Sequence, residues 1–452
     1  MPVTGIGGPD EEERRGTSVL LAVLGAVREF GKAVTAKMGA PAGTIETYIE
    51  CAFTQDGKEC RPDGAIRVLG RKDKVWTALV EVKTRRPLEV PQVEMYLDVA
   101  RTNGFDAVIT ISPDLPDSPG GHPITVDGRK LRSVALHHLS WSEIHTEALI
   151  ERDNQMVSDP VQAWILSEFT RYLESPKSGA LEFDDMGPSW VVVREAAARN
   201  TLRAGDPGAA AVVGRFSQLV SYAGMRLSQH LGVPVRPAVS RKGQDKATSS
   251  AQQAVAEFAS TGRLTGALLV PDAVGPLHIT ADLRANRIEC SVTVEPAKKA
   301  RPYTRVTWVL KQLSDPPTEL TIAARVAHHE NGPALLVSKV TEDPESIVEN
   351  PKADIHDFTL TLNRKAGTKR GQGMGTFIGS VLDLVDEFYE RVVQELKPAV
   401  PPAPKVRSQP EGSPDGLMVT VTSAQAAESD DVWVPAIPMR SESLSPPDDP
   451  LP

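Results

Sequence analysis

The chain has 452 residues, of which 40% are hydrophobic and 24% are charged, a balance typical of a globular protein with two or three domains. Its formal net charge of −9 is spread unevenly, so charge alone neither indicates nor excludes a nucleic-acid ligand. The three cysteines include no CxxC pair and are too few for a disulfide framework, which favours a cytoplasmic location. The acidic start is unlike a signal peptide, and the apolar run "VLLAVLGAV" is too short to span a bilayer, so we expect neither secretion nor a membrane segment.

The first third of the chain predicts helices and strands in alternation. A flexible leader over residues 1–16 precedes a helix over residues 17–37, in which apolar residues recur at helical spacing. Pro91 opens a second helix, which Asn103-Gly104 ends. Between the two helices, three strands are predicted over residues 45–53, 60–69 and 75–83.

Two short strands and a further helix complete this region. The strands are "FDAVITIS" and "SVALHHL", and they are followed by a helix that reaches about Glu151. Ser140 and Glu143 fit a capping box at the start of that helix. The order α-β-β-β-α-β-β-α predicts an α/β fold with a mixed sheet over residues 17–152.

The rest of the chain predicts three further regions. A helical connector over residues 153–230 leads to an α+β C-terminal domain over residues 231–397, which contains six strand-like stretches, one of them "ALLVSKV" over residues 334–340. Its helices are predicted over residues 302–313 and 376–396. From residue 398 to 452, Pro, Ser and acidic residues dominate, so we expect a disordered tail. The C-terminal domain or the tail is where a protein partner would bind.

A hairpin between the second and third predicted strands carries charged residues at its open end. Glu81 and Lys83 lie two residues apart on one strand and therefore share a face. A two-residue turn would place Asp63 on the other face, whereas a five-residue loop over residues 70–74 places it opposite Glu81. In that register both carboxylates can hold one hard cation, and Lys83 can act on the attacking water and on a phosphate group.

This pattern resembles the PD-(D/E)XK nuclease superfamily. Pro62-Asp63, seventeen intervening residues and then Glu81-x-Lys83 match the central motif of the superfamily. On the next helix, Gln92 and Tyr96 resemble the QxxxY motif of its RecB-like branch. The resemblance extends over residues 17–151, about a third of the chain.

The resemblance implies a nuclease that hydrolyses DNA with Mg²⁺ or Mn²⁺ as its cofactor. The implied site consists of the metal ligands Asp63 and Glu81, which also take part in catalysis, and of Lys83, Gln92 and Tyr96. The family often carries an extra acidic residue on the preceding helix, which would make Glu29 a third metal ligand. Glu46 and Glu50, on the neighbouring strand, compete with Glu29 for that role.

The same residues also allow a less specific interpretation. Asp63, Glu81 and Lys83 then form a salt bridge at the end of a sheet, and Gln92 and Tyr96 are ordinary residues of an amphipathic helix. On this interpretation the domain is a catalytically silent module that binds nucleic acid or protein in a stress-response or defence assembly.

Two other features allow both a functional and a structural interpretation. His137 and His138 are neighbours on a strand, so their side chains lie on opposite faces and cannot bind one metal ion, which favours a structural role. The loop "NRKAGTKRGQGMG", over residues 363–375, is either a solvated loop or a contact for a phosphate backbone. The basic residues it would use are Arg364, Lys365, Lys369 and Arg370.

Overall fold

Two large β-sheets, one formed in each half of the chain, organise the fold of this computed structural model. The structure describes residues 8–55, 57–117, 121–153, 157–175, 178, 183–238, 247–297, 301–326, 332–348, 354–369, 371 and 373–399. All of these residues belong to one compact unit, Met1–Pro401, and the predicted tail lies outside the described residues beyond residue 399. No helix within the described ranges has the length and apolar character needed to cross a membrane.

The first sheet has five strands that come from the first third of the chain. The elements here are α1 (Pro9–Ala26), α2 (Arg28–Ala36), β1 (Gly43–Ile49), β2 (Phe53–Gln55), β3 (Lys58–Cys60), β4 (Gly64–Gly70), β5 (Val75–Val82), α3 (Val90–Asn103), β6 (Ala107–Ser112), β7 (Ala135–Ser140), α4 (Trp141–Asp153) and α5 (Pro160–Leu173). The strand order is β1-β4-β5-β6-β7, antiparallel from β1 to β5 and parallel from β5 to β7. The predicted mixed α/β architecture with a mixed sheet is therefore confirmed.

Helices cover both faces of this sheet. On one face, α1, α2, α4 and α5 share an apolar cluster with the alternate strand residues Ile66, Val80 and Ile109. On the other face, α3 packs over Leu79 and Val108. Residues on alternate positions of one strand thus meet different helices, as the pleat of a strand requires.

The start of the chain differs from the prediction. The single helix expected over residues 17–37 is two helices, because Val27 has an extended backbone (φ −104°, ψ 99°) that ends α1 before α2 begins. α1 also begins at Pro9, so residues 9–16 are helical and the prediction of a flexible leader is wrong for them. The predicted strands over residues 45–53 and 60–69 are each shorter in the sheet, since β2 and β3 pair with each other as a separate hairpin.

The capping box predicted before α4 is confirmed. The backbone N–H of Ser140 donates to the Glu143 carboxylate (2.7 Å), and the backbone N–H of Glu143 donates to the Ser140 hydroxyl (3.1 Å). These reciprocal bonds satisfy two donors that a helix start leaves without partners. The cap fixes where β7 ends and α4 begins.

The second sheet has seven antiparallel strands in the order β13-β12-β14-β11-β10-β9-β8. The elements of this half are α6 (Trp190–Ala198), α7 (Ala209–Leu231), β8 (Arg236–Pro237), α8 (Ala247–Thr261), β9 (Arg263–Leu269), β10 (Leu277–Asp282), β11 (Arg287–Val294), α9 (Pro302–Leu310), β12 (Thr321–Val326), β13 (Leu335–Leu336), α10 (Val337–Glu342), β14 (Ile355–Lys365) and α11 (Phe377–Arg391). The stretch "ALLVSKV" was predicted to be a strand, but only its Leu335-Leu336 pair is extended and α10 follows at once. The helix α8 was not predicted.

Candidate active site

The register of the β4–β5 hairpin brings Asp63 beside Glu81. Gly64 pairs with Val80, and the last pair before the turn is Leu69 with Val75, so the loop has the five residues 70–74. Continuing this register by one residue places Asp63 opposite Glu81, on the same face of the sheet. The register predicted from the sequence is confirmed.

The two carboxylates differ in how their oxygens are satisfied. Asp63 Oδ2 accepts a hydrogen bond from the backbone N–H of Val82 (2.8 Å). Glu81 is only 1% exposed, and neither of its carboxylate oxygens has a hydrogen-bond partner. Its nearest charged neighbour is Lys83, whose Nζ lies 2.7 Å from Glu81 Oε1 as an ion pair without hydrogen-bond geometry.

Lys83 is held between two acidic residues. Its ammonium donates to Glu13 Oε1 (3.0 Å) as well as contacting Glu81, and the residue is 9% exposed. Glu13 lies in the first turns of α1, in the segment that the sequence analysis assigned to a leader. No apolar periodicity marks this segment, so the sequence alone did not identify Glu13 as part of the site.

Glu29 lies away from this group. It is in the first turn of α2, close to Gly31, where an added Cβ would lie 2.8 Å from the side chain of Ile45. Ile45 is near the turn end of the hairpin, opposite the end that carries Asp63. Burial raises the pKa of Glu151 on α4, and the charge of Glu29 adds to that effect. The acidic residue that a helix brings to Lys83 is therefore Glu13, which corrects the prediction for Glu29.

Glu46 and Glu50, the competing acids on β1, also occupy different places. Glu46 forms an ion pair with Arg67 (3.5 Å) in the middle of the strand. Glu50 directly follows β1, and its backbone N–H donates to the carbonyl of Asp63 (3.0 Å). Of the two, Glu50 is the one next to the carboxylate pair.

Burial and mutual repulsion shift the pKa values of this group. Burial raises the pKa of Glu81 to about 8, with a further contribution from the charge of Asp63. Burial also raises the pKa of Asp63, although the hydrogen bond from Val82 opposes the change. Burial alone would lower the pKa of Lys83, but the charges of Glu81 and Glu13 outweigh it and raise that pKa. At neutral pH Lys83 is therefore charged, and the carboxylate pair retains a proton.

Gln92 and Tyr96 lie beside the same group. Gln92 Nε2 donates to the Tyr96 hydroxyl (3.1 Å), which in turn donates to the backbone carbonyl of Arg61 (3.1 Å), two residues before Asp63. Tyr96 is buried, and burial followed by the charge of Glu81 raises its pKa. The pair thus borders the carboxylates and fixes the chain that leads into Asp63.

A cavity of about 220 Å³ opens on Asp63. One turn of α1 supplies Arg14, Thr17 and Ser18 to its wall, and Glu50 faces them from the end of β1. Glu81 and Lys83 are not among its lining residues. Solvent thus reaches the site from the side of Asp63.

Polar side chains on β6 and β7 continue the line of Asp63 and Glu81 across the sheet and form a polar row that ends at His138. Thr110 on β6 pairs with Glu81, and His138 on β7 pairs with Thr110, so the three side chains share a face. The His138 ring contacts the carbonyl of Asp114 through Nε2 (2.9 Å) and the Thr110 hydroxyl through Nδ1 (2.9 Å). The Thr110 hydroxyl also contacts His122 Nε2 (2.8 Å). Burial lowers the pKa of His138 to about 4, so the ring is neutral at neutral pH. Nε2 carries the proton and donates it to the Asp114 carbonyl, which leaves Nδ1 as the acceptor for Thr110. These contacts agree with the structural role expected for His138.

The charges of the C-terminal basic loop are partly compensated within the fold. Arg364 Nη2 donates to Glu387 (2.7 Å), and Arg364 Nη1 lies 3.3 Å from Glu319. Lys365 and Lys369 are exposed, and Arg370 lies outside the described residues. Arg364 therefore serves the packing of β14 against α11 rather than a solvent-facing contact.

The residues present fit a hard divalent cation in their chemistry. Both oxygens of Glu81 and Glu13 Oε2 are buried without a hydrogen-bond partner, and Asp63 adds a fourth carboxylate oxygen that Mg²⁺ or Mn²⁺ would accept. Within the described residues, however, no group of three or more His, Cys, Asp or Glu side chains is arranged to hold an ion. The ammonium of Lys83 lies where these acids meet, so ion binding requires the side chains to rearrange.

No protein-family model matches the chain, and no curated protein matches it.

The raised pKa of Glu81, about 8, predicts how stability depends on pH. The folded state holds a proton that the unfolded state loses near pH 4.5, so this contribution is complete at low pH and is lost as pH rises through 8. A shift of one pKa unit corresponds to about 1.36 kcal/mol. We therefore expect the free energy of unfolding to fall by about 2 kcal/mol between pH 6 and pH 8, a value that allows for the coupled titration of Glu81 and Asp63. Chemical denaturation across this range should show a clearly smaller pH dependence for Glu81→Gln; an equal dependence in both proteins would contradict the assignment.

Proposed function

We propose that this protein is a metal-dependent nuclease that hydrolyses phosphodiester bonds of DNA, with residues of the first sheet forming a PD-(D/E)XK-like site. The observation that carries the proposal is the buried Asp63–Glu81 pair, in which two carboxylates adjoin and Glu81 lacks a hydrogen-bond partner. Such a pair is unfavourable unless it is protonated or neutralised by a cation. At neutral pH the pair keeps one proton, and a divalent ion would take the place of that proton and bind both carboxylates as ligands.

The surrounding elements support this assignment. In the first sheet, α1 and α2 precede the antiparallel strands β1, β4 and β5, and α3 then leads to the parallel strand β6; the acidic residues lie where β4 begins and β5 ends. Gln92 and Tyr96 on α3 adjoin the same strand ends, as the resemblance implies. Three separate sequence signals, Pro62-Asp63, Glu81-x-Lys83 and Gln92 with Tyr96, therefore lie at one place in the fold. This agreement is an argument by analogy, and it adds to the chemical argument from the carboxylate pair.

Each residue has a distinct part in the proposed reaction. Asp63, Glu81 and Glu13 would hold the ion, which when bound lowers the pKa of a water molecule and offsets charge on the phosphate. Lys83 remains protonated because its pKa is raised, so it stabilises the negative charge on the phosphate instead of removing a proton from water. Tyr96 and Gln92 position the Arg61–Asp63 segment.

Cleavage assays test the proposal directly. Labelled single- and double-stranded DNA and RNA are incubated with the full chain in Mg²⁺, in Mn²⁺ or in EDTA. We expect cleavage of DNA with a divalent ion and none in EDTA, because hydrolysis depends on the bound ion. An absence of cleavage for all four substrates with both ions would contradict the proposal.

A catalytically silent binding module is the second candidate. It is favoured by the ion pairs that Lys83 makes with both Glu13 and Glu81, which already compensate the acids without an ion. A silent module would bind nucleic acid or a protein partner equally well in EDTA and in Mg²⁺. Binding that is unaffected by EDTA, together with no cleavage, would therefore select this alternative.

A further inference from the structure

The first two turns of α1, residues 9–16, cover the strand end that carries Glu81 and Lys83. We define this segment as the α1 cover. Glu12 in the cover binds Arg85 through two contacts, Nε to Oε2 (2.5 Å) and Nη2 to Oε1 (3.3 Å). Glu13 binds Lys83, so the cover is joined to both residues that flank Thr84.

Charge, not apolar packing, attaches the cover to the sheet. Residues 11–16 read "EEERRG" and include no apolar side chain, and the first fully buried apolar residue of α1 is Leu20. Gly16, at the end of the cover, packs closely against the start of α4 and the chain just after β5, since a Cβ there would lie 3.4 Å from the Trp141 ring and 3.7 Å from the Thr84 methyl group. The Glu12–Arg85 pair is partly exposed, contributes little free energy and weakens with salt. The Glu13–Lys83 pair is largely buried, but opening the cover returns both groups to water, and their hydration offsets much of the lost ion pair. Detaching these turns therefore costs little compared with unfolding the helix.

Unsatisfied polar groups concentrate beneath the cover. Within the part of the chain that the structure describes, six buried side-chain atoms lack a hydrogen-bond partner, and five of them are in this region. They are Glu13 Oε2, Glu81 Oε1 and Oε2, Thr84 Oγ1 and the hydroxyl of Tyr172. Tyr172 lies close enough for the charges of Arg15 and Glu12 to act on it. Buried polar groups normally have hydrogen-bond partners. Five such atoms without partners in one region therefore indicate that these groups form hydrogen bonds, to water or to a ligand, when the cover moves away.

The closed arrangement also blocks access to the proposed site. Glu81 is 1% exposed and Lys83 is 9% exposed, so a phosphodiester cannot reach them. The cavity that opens on Asp63 is bounded by Arg14, Thr17 and Ser18 of the same helix. Displacing the α1 cover would therefore extend this cavity to Lys83.

We propose that the α1 cover is a lid, held by the Glu12–Arg85 and Glu13–Lys83 ion pairs, that must open to admit metal ion and nucleic acid. This inference rests on the proposed nuclease function for its purpose, but the opening itself can be measured without cleavage. Removing the Glu12 charge opens the lid more often, and fixing the lid to the sheet closes the site.

Hydrogen exchange measures the opening. In Glu12→Gln, the backbone amides of residues 13–16 should exchange about fivefold faster than in the wild type, because one ion pair of the lid is lost. Amides of residues 20–26, which belong to the buried part of α1, should be unchanged. The matched control is Glu11→Gln, since Glu11 pairs with Arg15 inside the helix (3.9 Å) and not with the sheet. Equal exchange at residues 13–16 in all three proteins would overturn the lid.

Cross-linking tests whether the opening is required. Glu12→Cys and Arg85→Cys are combined and joined with a short bismaleimide, with each single variant treated in the same way as a control for reaction at Cys51, the half-buried native thiol. The cross-linked protein should lose metal-dependent cleavage, and the treated single variants should retain it. Cleavage at the uncross-linked rate would overturn the lid while leaving the nuclease proposal intact. If the wild type cleaves no substrate, the nuclease proposal fails and the exchange comparison alone decides whether the lid exists.

Discussion

Asp63→Asn is expected to abolish metal-dependent cleavage and to leave the protein at least as stable as the wild type. An amide is a poorer ligand for a hard cation than a carboxylate, and losing several kcal/mol of transition-state stabilisation corresponds to a loss on the order of a thousandfold in rate. Stability should hold or rise, because the charge of Asp63 no longer repels Glu81. The asparagine Oδ1 can still accept the hydrogen bond from Val82, so the hairpin end should keep its geometry.

Asp73→Asn is the matched control for this variant. This substitution replaces the same carboxylate by the same amide, but at an exposed position in the turn of the same hairpin. The backbone of Asp73 has a positive φ (58°), a conformation that asparagine adopts readily, so the turn should be preserved. Cleavage and thermal melting are measured on both variants. Equal activity of Asp63→Asn and Asp73→Asn would remove Asp63 from the site, and a large loss of stability only in Asp63→Asn would indicate a structural carboxylate.

The relation between Asp63, Glu81 and Lys83 could be predicted because local rules determine it. Side chains alternate along a strand, and the number of residues in the turn fixes which positions face each other. The start of α4 was predictable for a similar reason, since the Ser140–Glu143 cap uses residues three apart in sequence. Features that depend on neighbours in sequence were thus accessible before the structure.

Glu13 was not accessible in this way. The segment "EEERRG" lacks the apolar spacing by which an amphipathic helix is recognised, and its composition is that of a solvated leader. It is helical because it continues a buried helix and because Arg85 and Lys83, about seventy residues away in sequence, supply counter-charges. Tertiary ion pairs of this kind leave no local pattern, so the role expected of a helix acid was assigned to Glu29 instead.

His122 was overlooked for a related reason. It follows a stretch rich in proline and glycine that predicts only a loop, yet its ring contacts Thr110 in the middle of the sheet. The contact depends on the path that the loop between β6 and β7 takes over the strand ends. The spacing of residues in the sequence does not determine that path. The polar row from Asp63 to His138 could likewise be recognised only after the register of β5, β6 and β7 was known.

Lys83→Met should eliminate cleavage and make stability strongly dependent on pH and on metal. Methionine retains much of the apolar stem of lysine but leaves Glu13 and Glu81 without their shared cation. Removing one partner of a buried ion pair costs about 3 kcal/mol or more when the remaining charge cannot be neutralised. At pH 6 Glu81 is protonated with or without Lys83, so the cost should be small. Above pH 8 Glu81 ionises beside an ammonium only in the wild type, so the cost of the substitution should rise with pH there.

Metal then separates the two interpretations of the site. If the acids form an ion site, Mg²⁺ or Mn²⁺ should restore much of the stability of Lys83→Met above pH 8, because a divalent cation replaces the missing ammonium. The double variant Asp63→Asn, Lys83→Met should lose this rescue, since it lacks a ligand. Arg85→Met is the control for loss of a neighbouring cation, and it should show neither the pH dependence nor the rescue, because Arg85 is exposed. Thermal melting of the four proteins with and without metal gives the answer: destabilisation of Lys83→Met that metal does not reverse would mean that Lys83 only completes a salt bridge.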